Sequence, residues 1–224
     1  MVKINASLSK EKRILKAAEQ VFSHKGYTQA TLDEIIQIAD TGKGTVYKYY
    51  KNKENLFYTL VEAKNRKLMK AMETAVEEGE TFSDQFRGYV EAFLHFLEKN
   101  ETLWSVILFE LLNQQAGWRL LWNQEKGEYV LDMRWGRKPT EEEVAVKRLY
   151  AQLIGGEVRL LRQILQQAMD AGYIKECQDN LTLMSQNFYF SIFMLYNQGA
   201  INRDNIDKVV AGMVDRFLYG HIRK

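Results

Sequence analysis

Proline is almost missing from this chain: its 224 residues hold one, Pro139, and only 14 glycines. Proline removes a helical N–H and glycine weakens a helix interior, so a chain this poor in both predicts an all-α fold. Cysteine is as scarce. Cys177 stands alone, which excludes an intrachain disulfide and a Cys-rich zinc site, and it is assigned no role. The three histidines, His24, His95 and His221, lie far apart in sequence. There is no His-Glu-x-x-His or Glu-x-x-His pair, no P-loop and no nucleophile elbow, so a helical enzyme is not expected, nor a cofactor or a metal. No stretch approaches the ~20 apolar residues of a membrane span. The polar start MVKINASLSKEKR lacks the apolar core of a signal peptide. The expectation is a cytoplasmic protein with no membrane partner.

What is present is distributed unevenly. Residues 1–70 carry 14 Lys+Arg and 7 Asp+Glu, whereas residues 71–224 carry 17 and 22. A basic front and an acidic remainder suggest a polyanion contact at one end, although a merely solvated helical surface gives the same sums. Within the front lies TGKGTVYKYYKNKENLF, residues 41–57. It sets Tyr47, Tyr49 and Tyr50 among Lys43, Lys48, Lys51 and Lys53.

The local pattern around that stretch is helical. Ser9 can cap a helix over 9–25 with Ile14, Ala18, Val21 and Phe22 on one face, and Gly26 can end it. Thr31-Leu32-Asp33-Glu34 is a capping box, opening a short helix with Leu32, Ile35, Ile36 and Ala39 as its apolar stripe. Asp40-Thr41-Gly42 breaks it. A third helix, about 43–49, turns Val46 and Tyr50 inward at ~100° per residue and leaves Gly44, Thr45, Tyr47 and Lys48 outward. Asn52 can cap a fourth helix running through Leu56, Leu60 and Ala63 to about Val76. Two short helices joined by a tight turn make a helix-turn-helix, whose second helix enters the DNA major groove. The outward residues suit a duplex. Gly44 permits close backbone approach. Thr45 offers a hydroxyl and a methyl to bases. Tyr47 and Tyr49 can reach phosphates or base edges, while Lys43, Lys48 and Lys53 supply charge.

These residues resemble the DNA-binding domain of the TetR (tetracycline-repressor) family. The likeness runs through RILKAAEQVFSHKGYTQATLDEI and GKGTVYKYYKNKENLF, nearly all of residues 10–60. The resemblance implies a dimeric, ligand-responsive transcriptional regulator, a repressor by expectation, with residues 1–52 as the DNA-binding domain and the fourth helix, 53–76, as connector. Residues 77–224 would form a larger helical domain for ligand binding and dimerisation. On matching positions, Thr31 would contact phosphate, and Lys43, Gly44, Thr45 and Tyr47 would face the groove. Tyr49 would contact backbone and Lys53 a phosphate. The chain departs from the family at Asp40, where a Gly is usual, at Thr41, at Gly42, where a capping Ser is usual, and at Ile36.

Beyond Thr81 the sequence predicts helices over 82–99, 101–115, about 118–133, 140–171, 180–198 and 203–221. Thr81, Thr140, Asp179 and Asn202 are their expected caps, and Gly172 ends the longest. All four tryptophans, Trp104, Trp118, Trp122 and Trp135, fall in one stretch near Phe93, His95, Phe96 and Phe109. Aromatic-rich helices of this kind suit a small apolar or amphipathic effector, although core packing explains such a stripe too. The expected ligand residues are Phe93, His95, Phe96, Trp104, Phe109, Trp118 and Trp122, with His95 read as a core or interface histidine. Arg159 and Arg162 could serve an anionic inducer or a solvated face. By resemblance, the last two helices pair with their symmetry mates through Phe188, Ile192, Leu195, Val210, Met213, Val214 and Phe217, some of which must also fill the chain's own core. The competing reading is a helical adaptor without DNA sequence specificity.

Overall fold

The computed structural model describes residues 4–100, 103–104, 117–123, 125–126, 128–174 and 181–219. Among these, the helices are α1 Lys10–Gln29, α2 Leu32–Ala39, α3 Lys43–Tyr50, α4 Lys53–Glu77, α5 Phe82–Lys99, α6 Glu141–Asp170, α7 Leu181–Asn197 and α8 Ile206–Tyr219. Two strands, β1 Trp118–Asn123 and β2 Glu128–Met133, stand between α5 and α6.

Local chemistry explains the boundaries. The Ser9 side chain caps α1 at Lys12 N–H. Thr31 and Glu34 close one capping box, and Thr81 and Asp84 another. Thr140 and Glu143 exchange the same two bonds, at 3.2 and 2.8 Å, at the start of α6. Each satisfies orphan N–H groups that a helix start leaves open. Asn52 accepts Asn55 N–H at 2.7 Å to begin α4. Gly26 leaves helical geometry at φ 73°, so the regular part of α1 ends there and a further turn reaches Gln29.

The helix expected over about 118–133 is an antiparallel hairpin, paired from Trp118↔Met133 to Asn123↔Glu128. Both segments are six residues long, too short to separate a strand from a helix by apolar pattern alone. Cross-strand contacts decide for the strand. Arg119 Nε lies 2.7 Å from Asp132 Oδ2 opposite it, and Arg134 Nε lies 3.3 Å from the same oxygen. The Arg119 hydrogen bond, with Arg134 adding to it, holds the Asp132 carboxyl below the usual range. Gly117 precedes β1 at φ +82°, and a Cβ there would stand 1.8 Å from the Trp135 carbonyl. Only glycine permits that approach. Of the helix expected over 101–115, residues 103–104 are described and helical; the rest, and the cap expected at Asp179, lie outside the described residues. The last helix begins at Ile206 rather than near 203. Asn202 is not its cap: its side chain accepts Asp204 N–H at 3.0 Å inside the preceding turn.

Two compact units divide the chain, within α4 and within α6. One comprises residues 1–64 and 102–152. Its core is Ile14, Ala18, Val21, Phe22, Ile35, Ala39, Val46, Leu56 and Phe57, all buried. Phe22 meets Phe57 edge-on at 4.8 Å, and Phe57 continues to Tyr150 of α6 at 6.2 Å. The other comprises residues 65–101 and 153–224. There Phe86 of α5 stacks on Phe217 of α8 at 4.5 Å and meets Phe188 of α7 at 4.9 Å. This division differs from one at 52 and 77, because the hairpin and the first turns of α6 fall in the same unit as the N-terminal helices.

Candidate nucleic-acid interface

α2 and α3 are fixed on α1 by their apolar faces and by ion pairs at the edges. Ile35 and Ala39 of α2 and Val46 and Tyr50 of α3 are buried. Lys25 of α1 pairs with Glu34 of α2. That hydrogen bond lowers the Glu34 carboxyl most; burial opposes it, and the Thr31 bonds add to the lowering. Asp40 makes the turn in the left-handed region at φ 48°. Aspartate tolerates this conformation better than most residues, and so replaces the glycine usual there. Arg13 of α1 reaches Asp40 Oδ2 at 3.4 Å. The Gly42 carbonyl accepts Thr45 N–H at 2.9 Å to start α3, with no side-chain cap.

α3 therefore shows solvent a continuous polar face. Gly44 and Lys48 are exposed and Thr45 is half-buried. Tyr47 and Tyr49 are 43% and 49% exposed, unusually open for large aromatic groups. Lys43 Nζ rests 3.2 Å from Asp33 and 5.9 Å from the Tyr47 ring. Both partners of that pair are exposed, so it is weak and gives way to a stronger anion. Thr31 is exposed at the start of α2. Tyr50 points the other way, and burial, then the charges of Glu11 and Tyr49, push its hydroxyl up to about 12.

Lys53 is placed differently from the rest. Its ammonium donates to the carbonyls of Tyr27 at 3.0 Å, Ala30 at 3.1 Å and Thr28 at 3.4 Å, above the Tyr27 ring at 4.5 Å. It satisfies the carbonyl end of α1. Between α3 and α4, Lys51 takes φ 60°, ψ −50° while Asn52 N–H donates to the Tyr50 carbonyl at 2.6 Å. That is a γ-turn with a non-glycine centre, a strained conformation.

The expected ligand residues divide between the two units. Phe93 is buried on α5, stacked on Tyr189 at 5.0 Å. Phe96 is half-buried beside it in sequence. His95 is not a core histidine: its side chain is 47% exposed, with Nδ1 3.7 Å from Glu98, because it falls on the polar side of α5. Trp104 and Trp118 are buried in the N-terminal unit, Trp118 with Lys147 over its ring at 5.9 Å. Trp135 is exposed in the loop after β2. Phe109 and the Trp122 side chain lie outside the described residues. Arg159 and Arg162 are exposed.

The residues expected on the pairing surface divide between the core and the surface of the chain. Ile192, Val210 and Val214 are buried in the chain's own core, where α5, α7 and α8 pack. Phe188 and Phe217 face Phe86, and Met213 is half-buried. Leu195 remains exposed, joined by Leu183, Phe190 and Met194 on α7. The spacing of 183, 190 and 194 marks one helical face, a signal the sequence already held. Glu157 and Tyr89 were not singled out in the sequence. Glu157 occupies an apolar position in the series 157, 161, 164, 168, and it is fully buried.

A short helix, a left-handed turn and an open second helix with its polar residues outward define a helix-turn-helix protein. The family model for bacterial regulatory proteins of the tetR family matches residues 14–59. Among curated relatives, an uncharacterised HTH-type regulator of Bacillus subtilis, YhgD, is 30% identical over 95 residues, 42% of this chain and 50% of the relative. The fatty acid metabolism regulator of the same organism is 28% identical over 99 residues, 44% and 51% of the two chains. The alignments thus span about half the length of these relatives. Among solved structures, FadR of Bacillus subtilis in complex with stearoyl-CoA superposes with TM-score 0.71 at 20% identity, covering 94% of this chain and 99% of that one. PfmR of Thermus thermophilus superposes with TM-score 0.66 at 18% identity, covering 94% and 100%. Among the described residues no helix is long and apolar enough to cross a membrane.

Proposed function

We propose that the chain is a transcriptional regulator, a repressor that binds a near-palindromic operator as a homodimer and releases it on binding an amphipathic effector with a long acyl chain. The observation that carries the reading is the division of α3. Val46 and Tyr50 hold it to the body of the domain, and Gly44, Thr45, Tyr47, Lys48 and Tyr49 stand out as a polar, partly aromatic ridge. Nothing in the packing of α3 needs that ridge, whereas a major groove uses all of it. Thr31 and Lys43 add contacts to flanking phosphates. Dimerisation follows from Leu183, Phe190, Met194 and Leu195, which would join in a shared face with their copies. An acyl effector is supported by the relative named as a fatty acid metabolism regulator and by the fold neighbour seen with stearoyl-CoA. The protein acts in the cytoplasm and performs no catalysis.

The test uses the full chain. Selection from genomic fragments, followed by footprinting, is expected to return a near-palindrome with half-site centres about one helical turn apart or a multiple of it. Palmitoyl-CoA is expected to dissociate the complex. Equal affinity for selected and random DNA would sink the regulator reading in favour of an adaptor.

A further inference from the structure

α6 buries one carboxyl. Glu157 has no exposed surface, on a face otherwise built from Leu161, Ile164, Leu165 and Ala168. Its backbone carbonyl accepts the Tyr89 hydroxyl of α5 at 3.1 Å. Its Oε2 accepts the Tyr189 hydroxyl of α7. Its Oε1 is sealed from solvent and, among the described residues, has no hydrogen-bond partner. Phe93 and Phe193 flank the Tyr189 ring, at 5.0 and 6.3 Å. All of these belong to one compact unit.

The two oxygens are not equivalent. Among the described residues its hydrogen-bond partners are the two tyrosines. Burial pushes it up to about 8, with the Tyr189 hydrogen bond opposing the rise, so it keeps its proton at neutral pH. Tyr189 gives its hydrogen to Oε2, which makes Oε2 the acceptor and Oε1 the O–H. That hydrogen is a buried donor with nothing to meet, and a leucine would fill the position without the loss. A ligand bringing a carbonyl or carboxyl oxygen completes the arrangement, and the rings beside it suit an apolar chain.

We infer that Glu157 is the hydrogen-bond donor that fixes the acyl carbonyl or carboxyl oxygen of the effector, with Tyr89 and Tyr189 holding its carboxyl in position. This rests on the reading of the chain as an acyl-responsive regulator. The full-length wild type, Glu157→Leu and Glu157→Gln are titrated with palmitoyl-CoA, palmitate and S-hexadecyl-CoA, a thioether that lacks the carbonyl. The wild type is expected to bind palmitoyl-CoA or palmitate about tenfold more tightly than the thioether, the scale of one buried hydrogen bond. Whichever of the two it prefers identifies the source of the oxygen. Glu157→Gln, whose amide still donates, is expected to keep most of that preference. Glu157→Leu is expected to bind all three at the thioether's affinity. With carbonyl-labelled palmitoyl-CoA, the infrared carbonyl band should sit lower in the wild-type complex than in the Glu157→Leu complex. If Glu157→Leu keeps both the preference and the band, the donor role is wrong while the acyl-regulator reading stands. If the wild type binds no acyl compound, both fall. Should Glu157→Leu not fold, a wild type that fails to prefer the carbonyl compounds overturns the inference by itself.

Discussion

Lys53 directs all three ammonium donors into the protein, at the last carbonyls of α1. An ammonium has three donors and no more, so the phosphate contact that its position in the chain suggested competes with a structural one. Lys53→Ala is expected to lower the stability of the N-terminal unit by about 1.5–3 kcal/mol, the range for hydrogen bonds to a charged group. Lys53→Met should recover part of the loss, because its stem still packs on Tyr27. Thermal melts read both, and an unchanged Tm for Lys53→Ala would return Lys53 to the phosphate role. Thr45 and Tyr47 make the opposite case: Thr45→Ala and Tyr47→Ala should leave the Tm near the wild type. They should weaken operator binding by about tenfold or more while random DNA is little affected, since groove contacts specify and phosphate contacts position. Equal losses on both DNAs would remove that division. Lys51→Gly is expected to raise Tm, because glycine relieves the strained centre of the γ-turn. The outward and inward faces of α3 were legible in the sequence because 100° steps decide them. The use made of Lys53 was not, since it depends on carbonyls 23–26 residues away in sequence.

At the scale of elements, the sequence is clearest where one side chain caps one helix. The starts of α1, α2, α4, α5 and α6 fall where Ser9, Thr31, Asn52, Thr81 and Thr140 put them. It misleads where tertiary pairing chooses between two local forms: β1 and β2 are strands because Arg119 and Asp132 meet across them and Gly117 lets the chain turn back on Trp135. The same limit applies to α7, whose inward and outward apolar residues are chemically alike. Only packing shows that Ile192 faces the core while Phe190 and Met194 face out. Phe190→Glu is therefore expected to convert a dimer to a monomer in size-exclusion chromatography with light scattering, with helicity retained. Ile192→Ala should instead lower Tm, with stability reduced by the cost of a core cavity, about 2–5 kcal/mol. A dimer that survives Phe190→Glu would move the interface off this face of α7.

Across the whole molecule, stability should respond to pH through its displaced carboxyls. Glu157 rises from 4.5 to about 8 on folding. The folded chain then holds a proton that the unfolded chain releases, so this contribution is complete below about 4.5 and is lost as pH climbs toward 8. Glu143, drawn down to about 2 chiefly by Arg137, acts in the opposite sense and is lost as pH falls from 4.5 toward 2. Its exposure makes that effect small. Wild-type Tm should fall between pH 5 and 8, and Glu157→Gln should flatten the fall; parallel curves for the two proteins would mean Glu157 does not titrate as described.

The Lys53 clasp has a kinetic side. By joining Ala30 to the first residue of α4, it closes α2, the turn and α3 into a loop fastened at its base. Opening that loop means giving up the clasp, and closing it again carries the entropy of a segment of this length. The amides of α2 and α3 should then exchange with deuterium as one cooperative block. In Lys53→Ala that block should exchange faster as a whole, with α1 lagging behind it.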